Sequence, residues 1–160
     1  MKKWFLKLFP WVCIPLLAWF VSNNWFQLML IQGESMAPAY GHMQLVALNR
    51  YDRTFEPGDA AAFWCEELSC VLVKRIAAVP GDTVIIRDGV LYVNGSVSEV
   101  YGADNTFAYA GLLEEQISLQ PGEYLMLGDN TAQSIDSRYP QVGVVSEAQI
   151  YGRIASWHRP

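Results

Sequence analysis

Lysine is nearly absent from this chain. Its 160 residues contain four, and Lys2, Lys3 and Lys7 all fall within the first seven. From Leu8 onward the basic side chains are arginines, with Lys74 the single exception. Histidine is scarcer, with His42 and His158 alone, and neither stands at a zinc-ligand spacing or in a recognisable triad context. Three cysteines (Cys13, Cys65 and Cys70) add no metal-binding pattern, so no metal and no cofactor is expected. Charged residues make up 17% against 52% hydrophobic, which excludes disorder and leaves ample material for a core. Past the three N-terminal lysines, eight basic face 16 acidic side chains, a net charge of −8. With no basic cluster to offset that charge, no nucleic acid is expected as a partner.

Long apolar runs are confined to the N-terminus. Trp4 to Val21 is an 18-residue stretch interrupted only by Lys7. As a helix it would rise about 27 Å, close to the roughly 30 Å hydrocarbon core of a bilayer. Lys7 can snorkel, tryptophans suit the interfaces, and Pro10 and Pro15 are tolerable in a membrane span. A cleavable signal needs a small-residue pair after the apolar stretch, and Ala18-Trp19-Phe20-Val21-Ser22-Asn23 has none. The expectation is an uncleaved single-pass anchor over residues 1–22. Its lysines mark the cytoplasmic end, so residues 23–160 form an extracytoplasmic domain at the cell membrane.

That domain reads as all-β, with about eight to twelve short strands. Pro57-Gly58, Pro80-Gly81 and Pro121-Gly122 each precede an apolar run and suit type II turns, with glycine at positive φ. Asp88-Gly89 separates two strand-like runs as a two-residue hairpin loop. Cys65 and Cys70 flank a polar tip. If their runs pair as a hairpin the two could face each other, and a disulfide or two free thiols are both open. The stretch from Ser96 to Gln120 lacks a pattern and reads as a surface excursion with one weak helical turn near 112–117.

Lys74 lies in Val71 to Val79, a run that reads as a strand buried on both faces. A lysine in a strand often snorkels. If it is buried instead, the ammonium is costly there and the pKa falls, leaving a neutral amine that can act as a base. Upstream, Ser35 sits in the tight segment Gly33-Glu34-Ser35-Met36-Ala37-Pro38. Alternation places Lys74 with Leu72 and Ile76, and Arg75 on the opposite face, where it can form a structural ion pair.

Three ordered segments resemble the type I signal peptidases. Gly33 to Pro38 resembles their nucleophile box, with its Ser-Met pair. Val71 to Asp82 (VLVKRIAAVPGD) resembles the general-base box, and Gly128 to Arg138 (GDNTAQSIDSR) the third box. The resemblance implies a membrane-bound serine endopeptidase in which Ser35 attacks and Lys74 takes its proton, with Met36 of the Ser-Met pair a supporting residue. It further implies that Ser134 hydrogen-bonds and orients the Lys74 amine. Asp136 and Arg138 would form a structural pair, and Asp129 and Asn130 would be turn and network residues. The implied partners are signal peptides of exported preproteins and the lipid bilayer, with the enzyme acting as a monomer. The chain departs from part of the family at Gly33, where some members carry a serine that donates to the oxyanion. It departs again at Ala39, where threonine usually follows the proline.

Other readings stay open at this level. A His-based triad would need His42 or His158. A peptidase dedicated to pilin or another single substrate would carry the same boxes. A self-cleaving Ser–Lys protease lacks the anchor, and a non-catalytic anchored β-domain would have no need of both Ser35 and Lys74.

Overall fold

A computed structural model of the chain describes residues 10–16, 19 and 26–155. Residues 10–16 and 19 are helical, and the rest of the expected Trp4–Val21 span lies outside the described residues. Among the described residues no helix is long and apolar enough to cross a membrane.

Among the described residues the chain forms eleven strands, as the spacing of turns suggests. They are β1 (Phe26–Leu30), β2 (Leu45–Asn49), β3 (Ala60–Cys65), β4 (Cys70–Ala78), β5 (Thr83–Arg87) and β6 (Val90–Val93). After these come β7 (Ser96–Val97), β8 (Ile117–Ser118), β9 (Glu123–Leu127), β10 (Val145–Ser146) and β11 (Ile150–Ile154). A larger sheet runs β1-β2-β11-β3-β4-β9-β10 and a smaller one β7-β6-β5-β8. Their pairings are antiparallel throughout, so short loops can join neighbours.

The turn chemistry follows the sequence. Gly58, Gly81 and Gly122 adopt φ of 95°, 93° and 81°, the left-handed values a Pro-Gly turn requires. Asp88 and Gly89 both take positive φ, 50° and 77°, closing the β5–β6 hairpin as a mirror-image type I turn does.

Burial occurs on both faces of the larger sheet. Ala61, Phe63, Ile76 and Met126 pack on one side, and Leu48, Ala60, Ala62 and Ile154 on the other with Met36. Transferring each such large apolar side chain from water contributes ~1.5–3 kcal/mol. A third cluster joins β4 and β9 to the smaller sheet through Ala78, Val84, Leu91, Leu125 and Leu127. Tyr101, Phe107, Leu113 and Leu119 belong to it and are buried, which corrects the reading of Ser96 to Gln120 as a surface excursion. That segment threads single apolar residues into the core, and a single residue leaves no periodicity to detect. Its short helical element is a 3-10 turn at Gly111–Glu114.

A second correction concerns β4, which is not buried on both faces along its length. Val71 is exposed, Leu72 and Val73 are half-buried, and burial is complete only at Lys74 and from Ile76 to Ala78. The strand leaves the hairpin tip at Cys70 and enters the core midway, so its apolar run overstates its burial.

Candidate active site

Ser35 lies in the loop between β1 and β2, and Lys74 at the centre of β4. Lys74 stands opposite Ala61 of β3, whose single methyl leaves room for the lysine methylenes. Ser35 Oγ and Lys74 Nζ are 2.7 Å apart. A protonated amine donates to the hydroxyl at this distance, and a neutral one accepts from it. Lys74 is 2% exposed, so it does not snorkel. Its pKa is lowered from 10.5 to about 8, chiefly by desolvation; Asp136 opposes the shift and Arg138 adds to it. A useful fraction of Lys74 is therefore neutral near pH 8, where an ordinary lysine is almost wholly charged.

The neighbouring charges are neutralised in place. Arg75, next to Lys74, gives two parallel bonds to Asp129, Nε to one carboxylate oxygen and a terminal nitrogen to the other, each 2.6 Å. Its remaining terminal nitrogen donates to the Gly58 carbonyl at 2.6 Å. The carboxylate raises the Arg75 pKa and fixes the charge on the guanidinium. Asp136 and Arg138 form the expected pair, buried, with Nε–Oδ1 at 2.8 Å. Arg138 also donates to the carbonyls of Tyr109 and Ser134 and lies over the Phe107 ring, so its charge is fully accommodated. Asp136 accepts from the Gly128 amide at 3.0 Å.

Asn130 connects the third box to the Ser35 loop. Its backbone N–H donates to the Ser35 carbonyl at 3.1 Å and its side-chain amide to the Glu34 carbonyl at 3.2 Å. Met36, 1% exposed, plugs the loop into the core beneath.

Ser134 differs from its expected role. Its hydroxyl is buried and makes no hydrogen bond, to Lys74 or to any other described residue. The hydroxyl packs instead against Gly128, while the Ser134 carbonyl serves Arg138. Gly128 went unremarked as a site residue in the sequence. A Cβ there would overlap Ser134 Oγ and stand 2.5 Å from the Ser35 carbonyl oxygen, well inside van der Waals contact. The third box can close on the Ser35 loop only because this residue has no side chain. Its place before Asp129-Asn130 was the available signal.

His42 is not directed at Ser35 as a base would be. Its Nδ1 accepts from the Gly33 amide at 2.9 Å. His158 lies outside the described residues. Cys65 and Cys70 stand directly opposite each other across β3 and β4, and both are free thiols, with Cys65 donating to the Gln141 carbonyl.

Beyond this geometry, a family model for signal peptidase, peptidase S26, matches residues 1–158. The chain belongs to this peptidase family. It is 31% identical over 160 residues to signal peptidase I of Bacillus licheniformis, a match covering 91% of this chain and 86% of the relative. Signal peptidase I T of Bacillus subtilis strain 168 is 30% identical over 151 residues, covering 88% and 78%. A crystal structure of a signal peptidase I from Enterococcus faecalis V583 matches with a TM-score of 0.51 at 28% identity, over 64% of this chain and 97% of that one. As an S26 peptidase the chain is a serine endopeptidase with a mostly β catalytic domain, and the signal-peptidase role implies signal peptides as substrates.

Proposed function

We propose that this S26 peptidase removes signal peptides from exported preproteins with Ser35 as nucleophile and Lys74 as general base. The observation that carries the assignment is the 2.7 Å approach of Ser35 Oγ to a buried lysine amine. In the neutral state the Lys74 lone pair accepts the Ser35 proton as Oγ attacks the scissile carbonyl. The resulting ammonium then protonates the leaving amine. Water, deprotonated by the same amine, hydrolyses the acyl-enzyme and restores Ser35.

The Ser35 backbone N–H donates to no described residue, which leaves it available to the developing oxyanion. The Gly33 N–H is engaged with His42, so it does not supply a second donor as placed. Arg75–Asp129 and Asp136–Arg138 hold charges in pairs on either side of Lys74, and Asn130 fixes the Ser35 backbone.

A membrane setting is part of the proposal: residues 1–22 anchor the chain with its N-terminus in the cytoplasm, and residues 23–160 act outside. The edge strand β1 supports it, since Phe26, Leu28 and Leu30 are all exposed on one face, with Leu45 and Met43 exposed beside them. A contiguous apolar face on an edge strand, separated by four residues from the apolar stretch that ends at Val21, suits the bilayer surface. A substrate bound in extended form would reach Ser35 along this level, and shallow apolar pockets would select small residues at its −1 and −3 positions. The enzyme is taken to act as a monomer.

Cleavage of a signal-bearing preprotein by the full chain in detergent tests the assignment. Ser35→Ala and Lys74→Ala should each abolish cleavage while the domain stays folded. Activity of Ser35→Ala within tenfold of wild type, about 1.4 kcal/mol of barrier, would remove Ser35 as the nucleophile.

A further inference from the structure

We infer that His42 is a positioning residue for the nucleophile, acting as a clip on the loop that carries Ser35. The inference rests on the reading of Ser35 as nucleophile and adds a residue to it. The β1–β2 ladder continues past its last strand residues through two more backbone bonds, Ile31 N–H to the Gln44 carbonyl at 2.9 Å and Met43 N–H to the Ile31 carbonyl at 2.8 Å. Beyond this rung the chain turns away, with Gly33 at φ 94°. The His42 ring then takes the place of a backbone carbonyl, and its Nδ1 accepts from Gly33 N–H at 2.9 Å. An acceptor at Nδ1 requires the neutral ring with its proton on Nε2.

Gly33 is where such a clip has most effect. A glycine peptide samples more backbone conformations than any other, and this one lies two residues before the reacting oxygen. From the far side the loop is held by Asn130, through the Glu34 and Ser35 carbonyls. Within the loop, Ala37 N–H donates to the Glu34 carbonyl and Tyr40 N–H to the Met36 carbonyl. His42 is the side chain that fixes the entry to the loop, and Asn130 the one that fixes Ser35 itself. Without the first, Ser35 Oγ loses registry with Lys74, while the surfaces proposed to bind substrate are unchanged.

The test compares kcat and KM for full-length His42→Ala and His42→Asn in detergent, with Ser35→Ala alongside and melting temperatures measured for all. Asparagine places its Oδ1 where Nδ1 stood and can accept the same bond. His42→Ala should lose about tenfold in kcat with KM within about twofold, the scale of one lost hydrogen bond acting on reactive geometry. His42→Asn should recover to within about threefold of wild type, a rescue that a space-filling role would not give. In the wild-type chain, nitrogen-15 shifts of the imidazole should show Nδ1 unprotonated and Nε2 carrying the proton. A His42→Ala enzyme with wild-type kcat, an asparagine variant as impaired as the alanine one, or a proton on Nδ1 would each overturn the inference. Should Ser35→Ala remain active, the nucleophile assignment falls instead; an inactive Ser35→Ala beside a fully active His42→Ala removes the clip alone.

Discussion

Arg75 and Asp129 are joined by two parallel N–H···O bonds of 2.6 Å, and each directly follows a residue at the centre of the site, Lys74 and Gly128. The pair fastens β4 to the loop after β9, and with it Lys74 to the segment that holds the Ser35 loop. Both side chains are largely buried, at 20% and 12% exposure. Bidentate geometry makes this a stronger contact than a surface ion pair.

Asp129→Asn should therefore destabilise the domain by ~2–4 kcal/mol, because a desolvated guanidinium is left short of a counter-charge. The midpoint of denaturant unfolding measures it. A change under ~0.5 kcal/mol would mean that the pair behaves as an exposed one.

Gly128→Ala should lower activity by about 100-fold or more, since displacing reacting groups by about 1 Å costs that much. The new methyl must push on Ser134 Oγ and on the Ser35 carbonyl. Ser134→Gly in the same chain should return part of the loss by vacating one of the two contacts. Wild-type kcat in Gly128→Ala would show that the loop has room that the geometry denies.

Lys74→Met should stabilise the fold in a pH-dependent way. The folded pKa of about 8 lies below the ordinary 10.5, so between those values the unfolded chain binds more protons than the folded one. Stability from this group thus rises with pH across that window. Its cost is fully present below about pH 8 and gone above 10.5. At roughly 1.4 kcal/mol per pH unit, the methionine variant should gain ~3–4 kcal/mol at neutral pH, with the advantage shrinking toward pH 10.5. Unfolding midpoints at pH 6.5, 8.5 and 10 read the trend, and a difference constant with pH would contradict a depressed Lys74.

Much of the candidate site was legible because the proposed Ser–Lys chemistry turns on rare residues. One lysine in an arginine-only domain, downstream of Gly33-Glu34-Ser35, stood out before any fold was known, and the Pro-Gly and Asp-Gly pairs marked turns whose glycines do take positive φ. Three kinds of feature were hidden. The burial of Tyr101, Phe107, Leu113 and Leu119 depends on tertiary contacts with β4 and β9, and isolated residues carry no period. The Arg75–Asp129 pairing joins residues 54 positions apart, and sequence marks both as charged without saying that they meet. The idle Ser134 hydroxyl and the crowding at Gly128 are facts of close packing, where tenths of an ångström decide which side chain fits.

The pH dependence of kcat/KM for preprotein cleavage tests the central claim most directly. With Lys74 as the base, activity should rise with pH through a single acid-side pKa near 8, as the amine loses its proton. An acid limb near 6.5, the ordinary value for histidine, or no rise between pH 6 and 9, would contradict a neutral lysine as the group that activates Ser35.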